Sequence, residues 1–168
     1  MIPIFIGAFL MEGIDDLVTG AIFLIAALTD ALDGHIARKN NIVTDFGKLM
    51  DPLADKIMVM SAFVCFTAAG ILHPIITIII LSREFLVTGL RSVATAKGKV
   101  IAADIWGKAK TVSQYVFIVS TLVGRSGLFQ FERFFEILTT VALVVALTLA
   151  MISAIHYCIK NIEIFKDN

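Results

Sequence analysis

Five long apolar runs limit the fold of this chain more than any other feature. They cover residues 17–32, 49–72, 74–90, 108–124 and 137–159. A helix that crosses a bilayer needs about 20 mostly apolar residues, with about 17–25 as the working range. The first run can continue as helix to Arg38, and the last is the cleanest of the five. A further stretch, 2–11, is apolar but too short to cross a bilayer alone. Gly70 and His73-Pro74 separate the second and third runs, Gly98 sits in a basic loop, and Gly124 and Gly127 bracket the last connection. These signals predict an all-α, polytopic integral membrane bundle.

Composition agrees. Of the 168 residues, 58% are hydrophobic and 17% charged, and the mean hydropathy is +0.92. Soluble domains are about 45–50% apolar and about 25% charged. The length suits one domain over residues 1–168. The net charge is zero, so the total argues for no acidic or basic partner, and no nucleic-acid partner is expected. Cys65 and Cys158 both lie in apolar runs and read as buried small residues without a disulfide; no zinc-ligand spacing occurs. The N-terminus carries no basic region or small-residue cleavage site, so no cleavable signal peptide is expected.

Lysine and arginine in the connections set orientation. Arg38, Lys39 and Lys48 follow the first run, and Arg91, Lys97 and Lys99 follow the third, with Arg83, Lys108 and Lys110 close by. Lys160 and Lys166 occupy the tail, and the opposite connections hold only Arg125 and Arg133. The basic connections and the C-terminus are therefore expected on the cytoplasmic side.

Negative charge collects on that same side, in "TDALDGHIARKNNIVTDFGKLMDPLADK". At about 100° per residue, Asp30, Asp33, Gly34, Ala37 and Arg38 share one helix face, and Gly47, Asp51 and Asp55 share a face of the next. A linker over 39–46 joins the two, and Asp45 reads as a linker residue. Four carboxylates brought together at a membrane boundary repel one another and need protons, basic side chains or cations. Hard oxygen donors suit Mg²⁺, Mn²⁺ or Ca²⁺. A pair of divalent ions is the usual device for displacement at phosphorus. Gly34 and Ala37 leave room for a ligand beside them, and Arg38 offers a fork for phosphate. Taken singly, Asp51 also reads as a cap for a helix begun by Pro52.

The pattern Asp30-x2-Asp33-Gly34-x2-Ala37-Arg38-x8-Gly47-x3-Asp51-x3-Asp55 resembles, position for position, the signature of the CDP-alcohol phosphatidyltransferases. "NIVTDFGKLMDPLADK", "SREFLVTGLR" and "WGKAKT" look like the bacterial phosphatidylglycerophosphate synthase branch, and the likeness runs from about Phe23 to Tyr157. The resemblance implies a six-helix membrane domain, a homodimer, with a polar cavity open to the cytoplasm of a bacterial cell. It implies transfer of a phosphatidyl group from CDP-diacylglycerol to an alcohol, with CMP released. Asp30, Asp33, Asp51 and Asp55 match the aspartates that hold two Mg²⁺ or Mn²⁺ ions, and Asp55 matches the general base. Asp33, Gly34, Ala37, Arg38 and Gly47 match positions that line the CDP-diacylglycerol site. The start departs from the family pattern: Met1 leads directly into "IPIFIGAF", which looks like the middle of a first span, and a short connection over 12–16 replaces a longer one. A truncated first helix is the expectation.

The acceptor is chosen outside the shared motif. For this branch it is glycerol 3-phosphate, a dianion, and Arg83, Arg91 and Lys108 are the candidates to hold its phosphate, with Thr88 adding a hydroxyl. Arg83 interrupts an apolar helix, which marks function by default; a structural ion pair with Glu84 or with an aspartate is the competing reading. Arg91 lies eight residues on and shares its face. Lys110 reads as a positive-inside anchor, and Lys97 and Lys99 as contacts to anionic membrane lipid. Another acceptor (phosphatidylglycerol, inositol phosphate or serine) stays within the family. Prenyl transfer and divalent-cation transport are more distant: the two acidic motifs lie one linker apart, and the far halves of the runs are apolar.

Overall fold

The computed structural model describes residues 2–11, 13–39, 45–96, 105–128 and 131–160; the side chains of residues 30, 31, 33–39, 45–55, 95, 96, 158 and 160 lie outside the description. Six helices follow in order: α1 (Ile2–Leu10), α2 (Asp16–Lys39), α3 (Asp45–Ala68), α4 (Pro74–Ala96), α5 (Ile105–Arg125) and α6 (Glu132–Lys160). No strand occurs among the described residues. Each apolar run becomes one helix, and the short 2–11 stretch becomes α1.

The helix ends follow local chemistry. Asp15 Oδ1 accepts from the Leu17 N–H at 3.0 Å and satisfies an otherwise unpaired donor at the start of α2. Pro74 opens α4, where its missing N–H costs nothing, and His73 Nδ1 accepts from the Ile75 N–H at 3.3 Å. α3 closes on Gly70 at φ 71°. The Ile71 N–H reaches the Phe66 carbonyl at 2.9 Å, and the Gly70 N–H reaches that of Thr67 at 3.1 Å. That pair of bonds defines a Schellman motif, which needs the left-handed conformation glycine adopts without strain.

Two local readings are corrected. α3 starts at Asp45, so Asp45 and Phe46 belong to the helix rather than to the linker. Asp51 lies inside α3 and does not cap it, because Pro52 falls within the helix instead of opening it. Proline inside a helix removes one bond to the carbonyl four residues back.

Aromatic side chains build the core. Phe5, Phe23, Phe63 and Phe66 are fully buried, and Phe117 nearly so. Phe63 stacks on Phe117 with ring centroids 5.3 Å apart, and Phe66 meets the same ring edge-on at 5.8 Å. Phe5 inserts against Phe23 at 5.5 Å, so even the nine-residue α1 is held to α2 and α3. Along α3 and α5 these rings follow the polar positions Lys56, Lys108 and Lys110. One half of the bundle is thus left for a different kind of interior.

α6 is built inside out. Ala142, Ala146, Ala150, Ser153 and Tyr157 face the bundle, while Phe134, Ile137, Val141, Val144, Met151, Ile155 and Ile159 are exposed. Small residues at the contact let backbones approach where burial of large side chains brings no gain, as between helices in lipid. Among the described residues, one helix is long and apolar enough to cross a membrane: Glu132–Tyr157, 26 residues with mean hydropathy 2.4.

α5 and α6 form the most extensive helix pair of the described bundle. They come close at Gly124, where an added Cβ would stand 2.9 Å from the Phe135 Cβ. At Gly20 of α2, an added Cβ would meet the Leu122 Cβ at 3.4 Å, close to ordinary contact. Gly124→Ala is therefore expected to destabilise the fold by about 1–3 kcal/mol, the usual cost of overpacking. Gly20→Ala should be neutral, or stabilising by up to about 1 kcal/mol through reduced backbone entropy. Thermal unfolding of the two variants in one detergent checks the contrast.

Candidate active site

The sequence assigns the nucleotide and metal half of the site to α2 and α3. Asp30, Asp33, Gly34, Ala37 and Arg38 all lie in α2, and Gly47, Asp51 and Asp55 all lie in α3. Both helices are unbroken through these positions, so each set keeps one helical register, and α2 packs against α3. The side chains of these residues lie outside the described ones. No group of three or more metal-binding side chains occurs among the described residues.

Arg83, Thr88, Arg91 and Lys108, which the sequence offers for the acceptor, are all among the described residues. Arg83, Arg91 and Lys108 line one cavity of about 400 Å³ between α3, α4, α5 and α6. Lys56, Glu84 and Lys110 line it as well, with Ser153 and Tyr157 contributed by α6. Among the described lining residues, cations outnumber carboxylates five to one. Such a concave surface with low-dielectric walls concentrates anions.

A single carboxylate organises the cations. Glu84 Oε1 accepts from Arg83 Nη1 at 3.1 Å and from Lys110 Nζ. All three side chains are buried: Arg83 is 8% exposed, Glu84 6% and Lys110 3%. Charges this deep persist only when paired and hydrogen-bonded, because removing them from water costs several kcal/mol per ion. Arg83 Nη2 also donates to Ser153 Oγ. Arg83 Nε is buried and has no acceptor among the described protein atoms.

The second cluster joins α3 to α4. Lys56 Nζ donates to Thr88 Oγ1, and the Thr88 hydroxyl donates to the Glu84 carbonyl at 2.7 Å. The Thr88 hydroxyl thus both accepts and donates within the protein, and Thr88 is not among the residues that line the cavity. Lys56 directly follows Asp55 in the chain. Arg91 Nε donates to the Tyr157 hydroxyl at 3.4 Å. Lys108 is exposed at the cavity edge.

Several roles differ from the sequence reading. Lys110 is no membrane-surface anchor: it is buried and ion-paired, because Glu84 on the neighbouring helix needs a second cation. Arg83 pairs with Glu84, as the competing structural reading has it, and also lines the cavity. Lys56, Ser153 and Tyr157 were not singled out. Ser153 and Tyr157 did leave a signal, as polar residues four apart in the cleanest apolar run, and hence on one face. Lys56 left none, being one cation beside a helix boundary.

Glu84→Gln removes the charge that Arg83 and Lys110 share and leaves two buried cations underpaired. The expected loss is about 3–5 kcal/mol of stability. Thermal unfolding should fall by several degrees, and by more than for Lys108→Gln at the exposed edge, where little is buried.

Comparison with known proteins supplies the class of chemistry. A family model for CDP-alcohol phosphatidyltransferase matches residues 1–160. A CDP-diacylglycerol–glycerol-3-phosphate 3-phosphatidyltransferase of Bacillus subtilis is 41% identical over 150 residues, which is 89% of this chain and 76% of the relative. One of the same name from Haemophilus influenzae is 35% identical over 164 residues, 94% of this chain and 84% of the relative. Another from Mycoplasma pneumoniae is 41% identical over 100 residues, 60% of this chain but 44% of that longer relative. With a family model over nearly its whole length and relatives of this identity, the chain belongs to the CDP-alcohol phosphatidyltransferase family.

Proposed function

We propose that this protein transfers the phosphatidyl group of CDP-diacylglycerol to glycerol 3-phosphate, giving phosphatidylglycerophosphate and CMP. The observation that carries the reading is the strongly cationic cavity lined by Arg83, Arg91 and Lys108, with Lys56 in its wall immediately after Asp55. A phosphorylated acceptor suits such a cavity better than a neutral alcohol does. The names of the relatives support the same acceptor.

The protein acts as a polytopic helical bundle in the bacterial cytoplasmic membrane, as a homodimer, with the site facing the cytoplasm. The outward large apolar residues of α2, α4 and α6 support a lipid-facing exterior, since soluble proteins rarely expose contiguous patches of that kind. CDP-diacylglycerol then reaches the site from the inner leaflet with its acyl chains still in lipid.

Chemistry at phosphorus divides between two groups of side chains. Arg83, Arg91 and Lys108 hold the acceptor phosphate, and Lys56, braced by Thr88, stands in the same wall. Asp55 takes the proton from the acceptor's 1-hydroxyl as that oxygen forms a bond to the phosphorus on the diacylglycerol side. The bond from that phosphorus to the oxygen of CMP breaks. Asp33, Gly34, Ala37, Arg38 and Gly47 orient the nucleotide. Four carboxylates in register on two packed helices are a hard-oxygen donor set that fits divalent cations. Asp30, Asp33, Asp51 and Asp55 would hold two Mg²⁺ or Mn²⁺ ions, which supply neutralisation of the diphosphate and of the leaving oxygen.

CMP release from CDP-diacylglycerol, measured against a panel of alcohols, tests the acceptor. Glycerol 3-phosphate should be turned over, and glycerol, serine and inositol phosphate should not compete; preference for another alcohol overturns the assignment. Asp55→Asn should lower kcat by about 10²–10⁴-fold, the usual worth of a general base, with the fold retained. Full activity in that variant, or in metal-stripped enzyme kept in chelator, would sink the mechanism.

A further inference from the structure

We infer that Ser153 and Tyr157 of α6 are positioning residues for the acceptor phosphate: they draw the guanidinium groups of Arg83 and Arg91 together so that one phosphate meets both. The inference rests on reading the cationic cavity as the acceptor site. It concerns a helix that contributes none of the residues of the aspartate motif.

Helix geometry carries the argument. Arg83 and Arg91 are eight residues apart, which places their backbones about 12 Å apart along α4 at 1.5 Å per residue. Side chains extended straight outward from such positions diverge too far to share one phosphate. Their partners on α6 are four residues apart, about 6 Å along the axis. α4 and α6 pack against each other, and the pairing keeps chain order, Arg83 with Ser153 and Arg91 with Tyr157. The two tethers are therefore closer together along the helix axis than the backbones of the arginines they hold.

The tethers are themselves fixed. Ser153 is 2% exposed and Tyr157 5%. The Tyr157 ring packs with Val87 and Leu90, which flank the space between the two arginines on α4. Its hydroxyl thus sits on a ring locked by the same helix whose arginine it holds. Arg83 gives Nη1 to Glu84 and Nη2 to Ser153, and its buried Nε is left without an acceptor among described protein atoms. Arg83 Nη1 and Nη2 each carry a second N–H, and through these the residue, which lines the cavity, can meet a phosphate oxygen. Positioning of this kind acts on substrate binding before chemistry begins.

Steady-state kinetics of the full-length protein separate positioning from general support of the fold. Tyr157→Phe and Ser153→Ala each remove one oxygen and little volume. Each should raise the KM for glycerol 3-phosphate about three- to tenfold, the net worth of one ordinary hydrogen bond, and the pair more. The KM for CDP-diacylglycerol and kcat should stay within about twofold. Competitive inhibition by inorganic phosphate should weaken in parallel. An unchanged KM for glycerol 3-phosphate in folded variants overturns the inference, as does an equal change in both KM values and kcat. Should Ser153→Ala fail to fold, Tyr157→Phe alone decides. If the wild-type protein rejects glycerol 3-phosphate, the proposed acceptor falls by itself. The tethers are then judged by whether inorganic phosphate inhibits the variants less than the wild type with whichever alcohol is turned over.

Discussion

The Glu84 carboxylate, shared by Arg83 and Lys110, is the contact on which the polar half of the bundle depends. Arg83 and Lys110 come from different helices and are both buried, so without a counter-ion their repulsion would pull α4 from α5. One carboxylate offsets two cations only in part, and the remainder is available to an anion. The same contact that makes the fold tolerable therefore leaves the cavity with an excess of cations. Burying an ion pair seldom adds stability in itself. Its presence here is better understood through what it holds in place.

The rest of the bundle is arranged to leave that polar half undisturbed. Phe5, Phe23, Phe63, Phe66 and Phe117 fill the other half, and the short α1 is held there by Phe5 alone among its fully buried side chains. α6 runs past both halves. Over most of its length it presents alanines to the bundle, and near its end it presents Ser153 and Tyr157 to the arginines. One helix thus changes from a spacer into part of the cavity wall by exchanging two side chains on a constant face.

Much of this was legible in the chain because helical register survives translation into structure. The apolar runs became α2 to α6 with ends shifted by a few residues, and Arg83, Arg91 and Lys108 do line one cavity. The errors share a cause. Lys110 read as a surface anchor because sequence reveals a charge without revealing its depth. The competing reading of Asp51 as a cap arose because Pro52 looks like a helix start, whereas the helix already runs from Asp45. Lys56 went unremarked because its value comes from Thr88, thirty-two positions away on another helix.

Sequence alone determined which residues share a face, since a helix turns by a constant angle, and so it paired the four aspartates with Gly34, Ala37, Arg38 and Gly47. It also determined that the exterior is apolar, through runs too long and too greasy for a soluble surface. Tertiary structure decided which faces meet. The meeting of α4 with α5 and α6 turned Lys110 inward, gave Arg83 and Arg91 their hydroxyl partners, and set the balance of charge in the cavity. Periodicity is a property of one helix, whereas ion pairing and burial are properties of two or more.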